Sequence, residues 1–306
     1  MSSGFKAYAP ASISNLGSGF DLLGLALEQP GDHVIAHHGE QPGVIVDQIR
    51  GFKEGISNEK NSAITAVETL LAHLGRNDSI TLTIEKGYPH SSGLGSSAAS
   101  AVAAVISANA LLGKPIKNKR ALFPFALAGE RHLDKGLPAD NVAASLLGGI
   151  VLSHPVESPV ILPVPEGLVV TIVRPDIDIK TSANRASLPL QVPLSSAIAQ
   201  TYSISSFILG LYRSDFDLIR RGLKDYIIEP VRSETIPNFA QIQASAMDEG
   251  ALGCSISGSG PAIFAISNNS LTAENIQSAW RGLLPDDTDP RSSFISKINT
   301  TGAYLC

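Results

Sequence analysis

The chain of 306 residues carries only two cysteines, Cys254 and Cys306. That excludes a disulfide framework and fits a reducing compartment. An excess of basic charge is also missing, since 23 Lys and Arg stand against 28 Asp and Glu, a net charge of -5. The basic patch at residues 117–120 is short, so binding to nucleic acid through phosphate attraction is not expected. Nothing in this balance draws the chain to an anionic membrane, and its longest apolar runs, such as residues 146–152, are far too short to span a bilayer. The opening MSSGFKAYAP lacks the pattern of a signal peptide, and the closing AYLC is no prenylation box. Internal repeats and low-complexity tracts are absent. A soluble cytoplasmic protein is the expectation.

What is present suffices for real cores: 43% of the residues are hydrophobic and 17% charged, over a length that suits two domains. Residues 34–36 and 44–49 read as strands. Asn61 or Ser62 can cap a helix through Ala66, Leu70, Leu71 and Leu74 that stops near Gly75. Residues 80–86, ITLTIEK, alternate as a half-buried strand does. An alanine-rich helix capped by serine is predicted over 96–112, another helix over 120–133, and a strand over 149–152. Four prolines between His154 and Gly167 suggest a domain boundary, giving domains at 1–158 and 159–306. Beyond it, strands are predicted at 168–173 and 262–266, and helices at 194–213, 217–226, 239–249 and 271–284. Without steady strand–helix alternation, this reads as α+β in both halves.

The run PHSSGLGSSAAS, residues 89–100, follows a strand and opens a helix. Gly93 and Gly95 allow close backbone approach, and a helix start favours an anion. Serine hydroxyls there can cap the helix, touch phosphate or bind Mg²⁺. A Walker loop is excluded, because no lysine precedes Ser96. Gly93, Gly95 and Ala98 fit a dinucleotide fingerprint, but the strand ends early, at Lys86, and no acidic residue follows about twenty residues on. A plain glycine turn is the third reading. His33, His37 and His38 lack an acidic or cysteine cluster to complete a metal site, and Cys254 lacks the partners of a nucleophile.

Residues 89–99 resemble, without a gap, the phosphate-binding motif of the GHMP kinases, which include galactokinases, homoserine kinases and mevalonate kinases. Two further stretches agree in order: APASISNLGSGFDLLGLAL at 9–27 and GCSISGSGPAIFAI at 253–266. The first of these is similar to the homoserine kinase branch, as are ADNVAASLLGG at 139–149, KTSANRASLP at 180–189 and EPVRSETIP at 229–237. The resemblance implies a two-domain α+β fold, with an N-terminal half like ribosomal protein S5 domain 2 and a ferredoxin-like C-terminal half. It implies ATP and Mg²⁺ as cofactors and L-homoserine as the phosphate acceptor.

Residue by residue, the resemblance puts ATP on Pro89, His90, Ser91, Ser92, Gly93, Leu94, Gly95, Ser96, Ser97, Ala98 and Ala99, with Gly258 and Ser259 from the third motif and Asn61 near the adenine. Ser97 and Glu130 match the Mg²⁺ positions, hard oxygen donors that suit that ion. Arg185 and Arg232 match guanidiniums that would take the substrate carboxylate. Asn15 and Asp21 match the part that holds its ammonium. Asn141 and Thr181 lie near the reacting hydroxyl, where other branches use an aspartate. Asp140 is not favoured as a base. The usual histidine of the branch is Pro138 here, and its usual proline is Ala144. Members of the family are often dimers, but the sequence shows no interface signature. The rivals are another GHMP small-molecule kinase, such as one for mevalonate, an NAD-dependent dehydrogenase built on the glycines, and a binding protein that keeps the fold.

Overall fold

The structure is a computed structural model that describes residues 4–52, 61–130, 139–177, 179, 185–284 and 289–306. The first half is a seven-stranded sheet with helices packed on it. Its strands are β1 (Phe5–Ser14), β2 (Leu23–His38), β3 (Val44–Gly51), β4 (Ile80–Lys86), β5 (Ile150–His154), β6 (Glu157–Leu162) and β11 (Tyr304–Leu305). The order is β11-β1-β2-β4-β3, with β5 on β2 and β6 on β5. Helices α1 (Ser62–Leu74), α2 (Ser96–Leu111), α3 (Phe123–Glu130) and α4 (Asp140–Leu147) belong to this half.

The second half runs β7 (Val169–Val173), α5 (Leu194–Arg213), α6 (Phe216–Gly222), α7 (Glu229–Arg232), α8 (Phe239–Asp248), β8 (Gly253–Ile256), β9 (Ile263–Ser267), α9 (Ser270–Arg281) and β10 (Ser293–Lys297). Its antiparallel sheet has the order β10-β7-β9-β8. Strand, helices, two strands, helix, strand is the ferredoxin-like sequence of elements. Among the described residues, no helix is long and apolar enough to cross a membrane.

Helix α2 explains the alanines. It is buried almost all the way round, and small side chains let α1, α3 and the sheet close on it. Its start differs from the sequence expectation. Gly95, not a serine, is the N-cap, in the left-handed region at φ 67 with no side-chain cap bond. A Cβ there would collide with Ser12 Oγ and lie 2.8 Å from Asn141 Oδ1, so glycine is required by space as well as by φ.

The proposed boundary at 158/159 cuts through β6, which pairs with β5 and belongs to the first sheet. Prolines do not exclude a strand at a sheet edge, where one side of the backbone needs no partner. The first sheet also recovers the C-terminal β11, paired with β1. The helix predicted over 217–226 ends at Gly222, because Asp225 takes the N–H groups of Ile227, Ile228 and Glu229 into a turn. The helix expected over 120–133 divides into a 3-10 turn, Lys119–Leu122, and α3; its last residues lie outside those described. The larger core runs from β1, β2 and α2 to Phe207, Leu223 and Phe264 of the second half, so both halves share one apolar interior. A smaller core around Trp280, Ile242 and Ile276 lies under the second sheet.

Candidate active site

A cleft of about 320 Å³ opens where the halves meet. Asn15, Asp21, His90, Ser91, Ser92, Gly93, Gly95, Ser96, Ser97, Glu130, Asn141, Arg185, Arg232, Gly258 and Ser259 all line it, as do Ser14, Asp140 and Gly260. Segments far apart in sequence therefore converge on one space. Other expected residues lie elsewhere. Leu94, Ala98 and Ala99 are buried in the core, since they face the sheet and neighbouring helices. Asn61 accepts the Ala63 N–H at 3.0 Å as the cap of α1, and Pro89 lines a separate cavity. Thr181 and Pro138 lie outside the described residues.

The glycine loop is held from both sides. Ser257 Oγ donates to Gly93 O at 2.6 Å, and Ala262 N–H donates to Ser92 O at 3.3 Å, so the third motif braces the second. Beneath the first turn of α2, the ammonium of Lys86 pairs with Asp32 and donates to Ser96 O at 2.8 Å and Ser100 Oγ at 2.9 Å. Ser100 Oγ donates to Asp32 at 2.8 Å. The loop thus has a lysine under it, buried and neutralised, instead of one reaching out from it. Desolvating two charges is costly, and here each has further hydrogen bonds to offset that cost.

At the open side, Ser97 Oγ donates to Glu130 Oε2 at 2.8 Å, and Glu130 is only 8% exposed. Ser62 Oγ donates to Ser97 O at 2.9 Å, which ties α1 to the same turn. The donor set, one hydroxyl and one carboxylate side by side, fits a hard divalent cation whose other ligands are phosphate oxygens and waters. Among the described residues, no group of three or more His, Cys, Asp or Glu could hold a metal by itself.

Across the cleft, Arg185 Nη2 donates to both oxygens of Asp21, at 2.9 and 3.0 Å. Arg232 is 4% exposed and donates from Nη1 to Gly258 O at 2.5 Å. Burial pushes its pKa below the usual arginine value; Asp21 opposes that shift and Arg185 adds to it. Asn15 Oδ1 accepts the Asp21 N–H at 3.2 Å and so fixes that turn, in which Asp21 has φ 56. Ser12 Oγ donates to Asn141 Oδ1 at 2.8 Å, which leaves the Asn141 NH₂ to face the cleft.

Asp140 is fully buried and accepts backbone N–H groups from Asn15 at 3.2 Å and Asn141 at 2.8 Å. Burial, then the charge of Asp21, raises its pKa to about 7 against the pull of those N–H bonds. Its carboxyl is spent on joining two segments that carry site residues. Sequence reasoning missed this role, as it missed Ser12, Lys86 and Asp32. Only their contacts reveal them, since alone each reads as a common core or loop residue.

Residues 61–149 match the GHMP kinases N terminal domain, and residues 207–286 match the GHMP kinases C terminal domain. A homoserine kinase of Chloroherpeton thalassium is 41% identical over 288 residues, 90% of each chain. The chain belongs to the GHMP kinase family. This GHMP kinase is also 39% identical over 316 residues to a homoserine kinase of Chlorobium phaeobacteroides, covering 98% of each chain. The crystal structure of a homoserine kinase from Cytophaga hutchinsonii superposes on the kinase with a TM-score of 0.91 at 38% identity, covering 100% of this chain and 98% of that one.

Proposed function

We propose that the protein is a homoserine kinase, which transfers the γ-phosphoryl group of ATP to the hydroxyl of L-homoserine to give O-phospho-L-homoserine in threonine biosynthesis. The observation that carries this reading is the pair Arg185 and Arg232, facing Asp21 and Asn15 in the same cleft as the glycine loop. A small zwitterion with a hydroxyl needs that set: guanidiniums for its carboxylate, oxygens for its ammonium, and a phosphate cradle nearby. The relatives named as homoserine kinases support the same substrate.

The first turn of α2 and the loop before it would receive the ATP phosphates, with N–H groups and the helix dipole favouring their charge. Ser97 and Glu130 would hold Mg²⁺, which neutralises charge on the transferred group when bound. The Asn141 NH₂, oriented through Ser12, would hold the substrate oxygen in line with the γ-phosphorus. Attack by that oxygen breaks the bond to the bridging oxygen, and ADP leaves. Asp140 lines the cleft but has both oxygens engaged by backbone amides, which argues against it as the group that takes the hydroxyl proton. Asp21 is engaged by Arg185, and Glu130 by Ser97. The proton would pass to an oxygen of the phosphoryl group itself. Alignment and charge neutralisation would therefore carry the reaction.

The test is ADP release from MgATP with homoserine, mevalonate, galactose and threonine in turn. Release confined to homoserine is the expected result. Release with another alcohol would overturn the substrate, and release with none would overturn the activity.

A further inference from the structure

The two arginines of the cleft share a neighbour that the motif match assigns to nothing. The ring of Phe20 lies 5.6 Å from Arg185 Cζ and 5.1 Å from Arg232 Cζ, measured to its centroid. Both distances are within cation–π range. Phe20 directly precedes Asp21, whose carboxylate takes Arg185, so one dipeptide holds both guanidiniums. That dipeptide is itself fixed, because Asn15 Oδ1 accepts the Asp21 N–H at 3.2 Å.

Electrostatics says why such a residue is needed. Two guanidiniums stand close together with Asp21 paired to one of them. Arg232 is buried, and its Nε has no hydrogen-bond partner among the described residues. A buried cation is costly unless something takes its charge, and Asp21, Asp225 and Asp140 offset the burial of Arg232 only in part. The negative face of an aromatic ring offers part of that compensation without neutralising the arginine or filling the space meant for a carboxylate.

We propose that Phe20 is a positioning residue that sets the spacing of Arg185 and Arg232 and keeps them as a clamp for a substrate carboxylate. This rests on the homoserine reading, which it deepens. An aliphatic side chain would fill the volume but offer no quadrupole, and the two guanidiniums would lose the ring face they share.

The experiment compares wild type, Phe20→Leu and Phe20→Trp, each checked for unchanged thermal unfolding. Phe20→Leu should raise the KM for homoserine about tenfold, and weaken calorimetric binding of the unreactive L-2-aminobutyrate as much, with kcat and the KM for ATP within about twofold. Phe20→Trp should restore wild-type values. For 3-aminopropan-1-ol, which lacks the carboxylate, kcat/KM should be the same in all three proteins. Equal losses with both alcohols, a loss in kcat alone, or a Trp variant as weak as Leu would overturn the proposal. If wild type turns over homoserine and the Leu variant equals it, only the role of Phe20 falls. If wild type neither phosphorylates homoserine nor binds L-2-aminobutyrate, the kinase reading falls and takes the proposal with it.

Discussion

One wall of the cleft comes from a single short stretch, residues 90–93 and 95–97, whose contribution is mainly backbone and short hydroxyls. The opposite wall takes Asn15 and Asp21 from the loop after β1, Asn141 from α4, and Arg185 and Arg232 from the second half. The first wall suits a ligand that is always the same, a polyphosphate, and needs glycine where a Cβ cannot fit. The second, with charges of both signs, suits the recognition of a particular small molecule. A family can keep the first wall and change its substrate by altering the second, because specificity resides in the site that a fold carries and not in the fold itself.

The comparison can be broken most forcefully beneath the first wall. Lys86→Met leaves Asp32 buried without its cation, and should destabilise the protein by about 3–5 kcal/mol in denaturant unfolding. The double variant Lys86→Met/Asp32→Leu should recover most of that loss. If the single variant is as stable as wild type, the pair does not hold the loop. Next in size is Glu130→Gln, which should lower kcat by about 10²–10³ while the fold is kept. Circular dichroism beside the turnover assay separates the two effects, and full Mg²⁺-dependent activity would overturn the proposed role of Glu130 as a metal ligand.

A third break lies at the bridge between the walls. Asp140 has its folded pKa raised to about 7, so the folded state binds a proton more tightly than the unfolded chain. Its contribution to stability is fully present below the unfolded carboxylate value and is lost as pH rises toward 7. Asp140→Asn should flatten that decline between about pH 5 and 7 in thermal melts. An identical slope in both proteins would show that Asp140 is not the titrating group.

The two walls were not equally legible in the sequence. The loop, the helix that follows it and the alanine signature of a central helix could all be read, because they are local and consecutive. The long helix over Leu194–Arg213 was predicted with its observed bounds, again from local periodicity. Strand β1 was missed, because it is buried on both faces and shows no alternation, and β11 pairs with it from the far end of the chain. The arginines could be named only through the family motif. Nothing around Arg185 or Arg232 says that they meet, or that Phe20 lies against both. The serine cap of α2 was a sound local expectation, displaced by a glycine that the close approach of Ser12 and Asn141 demands.

The central claim is that side chains of the second wall read a carboxylate while the first wall holds ATP. The most direct measurement is the ratio of kcat/KM for homoserine to that for 3-aminopropan-1-ol, in wild type and in Arg232→Ala. Wild type should prefer homoserine by about 100-fold or more, and Arg232→Ala should lose at least about tenfold of that preference with the KM for ATP unchanged. The same preference in both proteins would contradict the account.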